Sequence, residues 1–257
     1  MANDLHRKYL DFHNTDRAVV AMEINWPDGA STGWHSHPRG QLLYAIEGIM
    51  IVSSAAGSWV VPPNRAVWLT AGIEHEVRMF GEVKIRTVFI DAKEVRKVPN
   101  ETCVIQVSAL LRELIVAVAK MAPGYVRGSR DDLLMRLMIE ELKISDVLPL
   151  HLPVPGNPRV KLICEALTNN PADVSTVSHW AKRLSVSPKT IHRLFLQETG
   201  LSFAQWREQA RLLLALRRIA SGDRIIDVAF DCGYASQSAF AAMFRRHFGT
   251  SPSNFYR

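Results

Sequence analysis

Near the start of the chain, the stretch GWHSHPRGQLLYAIEG at residues 33–48 sets His35 and His37 one residue apart, just ahead of an apolar run. On an extended strand, imidazoles at that spacing project to the same side, because side chains alternate with period two. Three kinds of chemistry fit the pair: metal ligation, the working groups of an enzyme, or a scaffold with another task. The elements around the histidines decide among them.

The chain has 257 residues, enough for one large or two ordinary domains, and its 47% hydrophobic content is that of a soluble globular protein. No run approaches the ~18 apolar residues of a membrane span. The opening MANDLHRKYLDFHN has no apolar leader, so no secretory signal is visible. Cys103, Cys164 and Cys232 are scattered and form no C-x-x-C pair, which suits reduced core thiols and a cytoplasmic location. The net charge of +6 is unevenly placed: residues 159–257 hold 14 Lys/Arg against 7 Asp/Glu, and the preceding part 17 against 18. A basic segment joined to a neutral one points to a polyanionic partner.

From about residue 18 to 91, short β-rich runs (LLYAI, IMIVSS, SWVV, RAVWLT, EVRMF, VKIRTVFI) are broken by EG, AAG, PPN, AG and GE. Strands without intervening helical periods indicate an antiparallel barrel or sandwich. Helical spacing takes over in SALLRELIVAVAKM and SRDDLLMRLMIEELKI, with Ser108 and Ser129 as cap candidates. Apolar helices appended to a barrel cover it or pair with a second copy, so a homodimer is expected. PLHLPVPGNP then sustains neither a helix nor a central strand and marks a boundary. The expected class is α+β in two domains, an antiparallel β-barrel with appended helices and an all-α domain. The expected limits are a sensor barrel at 1–104, a dimerisation segment at 105–148, a linker at 149–158 and a helical domain at 159–257.

The last hundred residues repeat one pattern. Val177, Trp180, Ala181 and Leu184 form an apolar stripe, and Ser187-Pro188 then caps and opens a second helix that ends at Gly200. Its inner face carries Ile191, Leu194 and Phe195, and its outer face Lys189, His192 and Arg193. In the second copy Ile225, Val228, Ala229 and Cys232 precede Gly233 and the cap candidate Ser236; Phe240, Met243 and Phe244 face inward. Between them, SFAQWREQARLLLALRRIASG reads as one connecting helix of about 20 residues, or ~30 Å, which suits two reading helices one DNA turn apart. Two helix-turn-helix units, a rod-like spacer and a basic excess together predict double-stranded DNA as partner.

Residues from about 158 to 257 resemble the DNA-binding domain of AraC/XylS-type transcriptional regulators, through AKRLSVSPKTIHRLFLQETGLSFAQWREQARLLLALRRIASG, IIDVAFDCGYASQSAFAAMFRRHFG and the closing TSPSNFYR. The resemblance implies base readers at Lys189, His192 and Arg193 in the first reading helix and at Gln237, Ser238 and Ala242 in the second. A longer side chain is common at the position of Ala242, so polar readout there is thin. Lys182, Arg245 and Arg246 fit phosphate contacts. An activator of this class would also engage RNA polymerase.

Residues 29–80 resemble the cupin superfamily. Gly29, His35-x-His37, Gln41 and Gly48 fit its first motif in spacing, and Gly72 and His75 fit its second in part. Gln41 stands where metal-binding cupins usually have glutamate, and Thr70 replaces a common proline. The resemblance implies a facial set of His35, His37 and His75, with Gln41 as an uncharged fourth ligand, around one divalent transition metal (Zn, Ni, Co, Fe or Cu). It equally allows histidines that only line an organic-ligand pocket. Arg39, Tyr44 and Trp68 are candidate effector contacts. The expected function is a DNA-binding regulator, with no catalytic residues, whose barrel senses a small molecule, a metal, or both. The alternative is a cupin dioxygenase or isomerase fused to DNA-binding helices.

Overall fold

The computed structural model describes residues 15–91, 93, 98–143, 145–148 and 150–255. Pro149, Tyr256 and Arg257, which the sequence motifs include, lie outside these. The chain divides into two compact units, 1–55 with 59–150 and 56–58 with 151–257.

The first unit is built on β1 (Val19–Trp26), β2 (Gly40–Ser54), β3 (Gly57–Val61), β4 (Arg65–Leu69), β5 (His75–Ile90), β6 (Cys103–Gln106) and β7 (Val147–Leu148). The antiparallel order is β1-β5-β2-β4-β6-β7, with β3 on β2. Among the described residues no ladder joins β1 to β7, so the pairing describes an open sheet. The runs that EG and GE divide in sequence are continuous strands. Gly48 and Gly81, both at φ +74°, sit where the β2–β5 register shifts. A left-handed glycine inside a ladder makes a bulge that bends the strand without ending it.

Alternation along β2 divides the unit into two sides. Leu42 and Tyr44 join Val19, Ala21, Ala66, Trp68, Val88 and Ile90 in a core shared with helices α1 (Ala109–Val118) and α2 (Arg130–Lys143). Ser108 caps α1, accepting from Leu111 N. Gln41 and Leu43 point the other way, toward Ile24, His75, Val77, Met79 and Ile85.

The second unit begins with β8 (His151–Pro153) and continues as helices α3 (Pro158–Asn169), α4 (Val177–Arg183), α5 (Pro188–Thr199), α6 (Phe203–Ala220), α7 (Ile225–Asp231) and α8 (Gln237–Phe248). Where the Pro-rich composition suggests a bare linker, residues 151–157 are fastened to the helices. Gln209 Nε2 donates to His151 O, Trp206 Nε1 donates to Pro153 O, and Glu198 Oε2 accepts from the Gly156 and Asn157 amides. Pro158 opens α3 at its first turn, where a missing N–H costs nothing.

Candidate DNA interface and metal centre

The two helix-turn-helix units share one turn geometry. At the end of α4, Val186 N donates to Ala181 O and Ser185 takes φ +52°; at the end of α7, Tyr234 N donates to Ala229 O and Gly233 takes φ +76°. Ser187 and Ser236 then cap α5 and α8 by accepting from Thr190 N and Ala239 N, and Gly200 and Gly249 close those helices in the left-handed conformation. Each reading helix buries its inner stripe, Ile191 and Phe195 on α5, Phe240, Met243 and Phe244 on α8. Leu194 is half-buried. The connecting helix α6 has 18 residues and a capping box of Ser202 and Gln205.

On α5, Lys189, His192 and Arg193 are all exposed on one face, and Arg193 Nη1 donates to Gln197 Oε1 at 3.0 Å. On α8, Gln237, Ser238, Ala242, Arg245 and Arg246 are exposed, as is Lys182 on α4. Arg246 is held by Glu208 of α6, whose Oε1 also lies 3.0 Å from His247 Nε2. Burial works to raise the Glu208 carboxyl, but His247 and Arg246 outweigh it and keep the group below its ordinary range. Sequence reasoning missed Glu208 because its partners lie 38 and 39 positions away on another helix.

In the first unit the three histidines converge. His35 and His75 exchange backbone hydrogen bonds at 3.0 and 2.9 Å across an isolated bridge, which sets their rings 4.4 Å apart. His37 lies 5.2 Å from His75, ring to ring, and packs edge-on against Phe89. One ring nitrogen from each of the three lies within 4.8 Å of the others. His35 is half-buried, His37 buried and His75 fully so. Burial pushes the His37 pKa down and that of His75 to about 4.

Proton placement follows from the hydrogen bonds. His35 Nδ1 faces Gly33 O at 2.9 Å, His37 Nδ1 faces Arg39 O at 2.6 Å, and His75 Nδ1 faces Ile73 O at 3.0 Å. A carbonyl only accepts, so each Nδ1 carries a proton, and Nε2 is the nitrogen that can offer a lone pair. Metal-binding histidines are typically oriented in this way by a backbone carbonyl. Among the described residues His75 Nε2 is buried with no hydrogen-bond partner. Gln41 Oε1 stands 2.9 Å from His37 Nε2, while Gln41 Nε2 donates to Thr87 Oγ1 at 3.0 Å. Oxygen and lone pair are then two acceptors face to face. Two arrangements relieve this: a cation between them, or a turned Gln41 amide with the Thr87 hydroxyl donating to it. Thr87, two strand positions before Phe89, belongs to no sequence motif and was found only through the β2–β5 register.

The residues fit a metal. A tetrahedral centre with Zn–N bonds of ~2.0–2.1 Å spaces its nitrogens ~3.3 Å apart, so about 1.5 Å of closure per pair completes the set at most. The cleft at this site, lined by His35, Gln41 and His75, holds about 10 Å³. That is the room of one water or one ion.

The structure does not bring Arg39, Tyr44 and Trp68 to this cleft. Arg39 is buried and donates to Arg17 O and Thr15 O; Tyr44 Oη donates to Asn64 Oδ1; Trp68 Nε1 donates to Pro99 O. Tyr44 is an odd number of positions from Gln41, and Trp68 is the cross-strand partner of Leu42, so both face the helices.

The second unit thus has the form of a DNA-binding module with paired helix-turn-helix elements, and a Helix-turn-helix domain family matches residues 180–257. The chain is 32% identical over 255 residues to the HTH-type transcriptional regulator NimR of Escherichia coli K12, covering 98% of this chain and 93% of that one. It is 36% identical over 103 residues to the HTH-type transcriptional regulator RipA of Corynebacterium glutamicum, covering 40% of this chain and 31% of that one. Among solved structures, ToxT from Vibrio cholerae matches over 93% of this chain and 98% of that one, at 10% identity. Its TM-score of 0.39 is too low to bear on the fold. The chain belongs to the AraC family of transcriptional regulators. It is a DNA-binding transcriptional regulator.

Proposed function

We propose that the first unit is a cupin-type sensor that binds one divalent transition metal through His35, His37 and His75, with the Gln41 amide oxygen as fourth ligand, and that this state sets operator occupancy. The observation that carries the reading is the convergence of three imidazoles, each with Nδ1 turned to a backbone carbonyl, so that Nε2 is the ligating nitrogen. Neutral imidazole suits zinc, nickel, cobalt, iron or copper. The protein's own part is to fix the tautomers, exclude bulk water and hold Gln41 through Thr87.

On DNA, Lys189, His192 and Arg193 of α5 read base edges in one major-groove segment. Gln237, Ser238 and Ala242 of α8 read the next, with Lys182, Arg245 and Arg246 on phosphates. A guanidinium gives the bidentate guanine contact, and an alanine only a methyl contact to thymine, so α5 dominates specificity. Leu110, Leu133 and Leu137 remain exposed on α1 and α2 and suit a homodimer contact. The metal acts by differing in affinity for two arrangements of the protein, since equal affinity would shift nothing. The test is operator affinity, measured by fluorescence anisotropy on chelator-treated and metal-reloaded protein. A change in affinity of fivefold or more, the lower end of typical coupling, is expected in wild type and absent in His75→Ala. Equal affinities in both wild-type samples reject metal sensing.

A further inference from the structure

A cleft of about 10 Å³ at the histidines admits no organic molecule. The first unit has a larger cavity elsewhere, of about 620 Å³, in the size range of small-molecule sites. It lies between the segment entering β1, the residues leaving β5, the loop before α2 and one stripe of α2. Val19, Met135 and Ile139 give it an apolar floor, and all three belong to the core beneath the helices.

Its polar wall has more donors than acceptors. Arg17, Lys93, Arg127 and Arg136 line it, against Asp16, Asp91 and Asp132. The carboxylates are already engaged. Asp16 Oδ2 accepts from Arg17 Nη1 at 3.1 Å, Asp132 Oδ2 accepts from Gly128 N and pairs with Arg136, and Asp91 Oδ1 accepts from Lys93 N and faces Arg39 through Oδ2. Each guanidinium has five N–H donors, and these contacts use few of them. Among the described residues Arg17 Nε is buried with no hydrogen-bond partner, and the Arg17 guanidinium lies 5.6 Å from the Tyr125 ring centroid. The Lys93 ammonium has no ion pair among the described residues. Arg39, 4% exposed, braces this wall by donating to Arg17 O at 2.9 Å and Thr15 O at 2.7 Å. A buried guanidinium spent on backbone carbonyls holds the loop at a fixed depth, so the donors are pre-positioned.

We infer that this cavity binds a small organic oxyanion, its charged head on Arg17 and the α2 guanidinium of Arg136, and its apolar body over Val19, Met135 and Ile139. This deepens the proposed sensor role, on which it rests, by giving the small-molecule effector a seat separate from the metal. A ligand there bridges β1 to α2, the helix that also exposes Leu133 and Leu137.

The experiment is isothermal titration of the full chain with 1-naphthoate, 1-naphthyl phosphate and the neutral 1-naphthylmethanol. At least one anion should bind and the alcohol should bind at least about tenfold more weakly, the scale of a charge-assisted hydrogen bond. Arg17→Gln should weaken the anion by a similar factor. Arg127→Gln, at an exposed rim position, should weaken it less and keeps the test open if Arg17→Gln does not fold. No binding by either anion, equal binding of the alcohol, or an affinity unmoved by both substitutions overturns the inference. Metal content and operator affinity measured on the same samples separate the two readings. Absence of anion binding by wild type with metal content and metal-dependent operator affinity intact rejects this cavity alone, whereas absence of metal-dependent operator binding rejects the sensor reading.

Discussion

Arg193→Ala tests the DNA-reading geometry with little disturbance of the fold. In the free protein Arg193 is exposed and makes one side-chain hydrogen bond, to Gln197 four positions on. Such a helix-surface pair contributes only ~0.2–0.5 kcal/mol, so the melting temperature should hardly move. On DNA, a bidentate guanidinium–guanine contact is worth about 1–3 kcal/mol of discrimination. That corresponds to a loss of roughly 5- to 150-fold in affinity for the best operator. Arg193→Lys retains the charge but not the planar fork, so it should keep the salt dependence and lose much of the base preference. The assay is fluorescence anisotropy at fixed salt, on an operator selected from a randomised duplex pool and on its single-base variants. Unchanged affinity together with an unchanged base preference would refute the placement of Arg193 against a base.

Three further substitutions address other parts of the molecule. Ser185→Gly should stabilise the first helix-turn-helix, because a side chain at φ +52° costs ~1–2 kcal/mol and glycine returns ~0.5–1 kcal/mol of that as chain entropy; calorimetry should show a rise in melting temperature, and a fall would contradict the strain argument. Gly40→Ala puts a Cβ 2.3 Å from the buried Trp68 ring, which Pro99 O holds through Nε1, so overpacking should cost about 1–3 kcal/mol; unaltered denaturant midpoints would show that the ring moves freely. Glu208→Gln removes a carboxylate that engages Arg246 and His247, so DNA affinity should rise across sequences, and the slope of log K against log salt should steepen by up to ~0.9 as Arg246 reaches a phosphate. An unchanged slope would leave Arg246 outside the interface.

Most of the second unit is legible in the residues themselves, because its signals are local. Ser187-Pro188, Gly200, Ser236 and Gly249 are helix punctuation within a few residues of the backbone groups they satisfy. The sheet is legible in its alternation but not in its strand ends. Gly48 and Gly81 look like turn residues, yet pairing on both sides of them carries β2 and β5 through as bulged strands of 15 and 16 residues. His35, His37 and His75 come together because the bridge from residue 35 to 75 completes the edge of β5. The acceptor conflict at Gln41 needs coordinates to be seen. Tyr44 and Trp68, candidate effector contacts in the sequence, lie on the helix side of the sheet, where period two along β2 and its partner strand puts them. The oxyanion cavity draws on residues more than a hundred positions apart, and no spacing rule reaches that far.

If His35, His37, His75 and Gln41 form the proposed metal centre, elemental analysis of protein purified gently without chelator will show it. One divalent transition metal per chain is expected, retained on dialysis and lost in His37→Ala and His75→Ala. With free metal at 100 times its Kd, binding to the folded state adds ~2.7 kcal/mol, and a chain of this size melts about 2–4 °C higher per kcal/mol. Metal-free protein whose melting temperature stays the same across zinc, nickel, cobalt, iron and copper would rule out a metal centre at these residues. The histidines would then be a hydrogen-bonded lining, with the Gln41 amide turned to face His37.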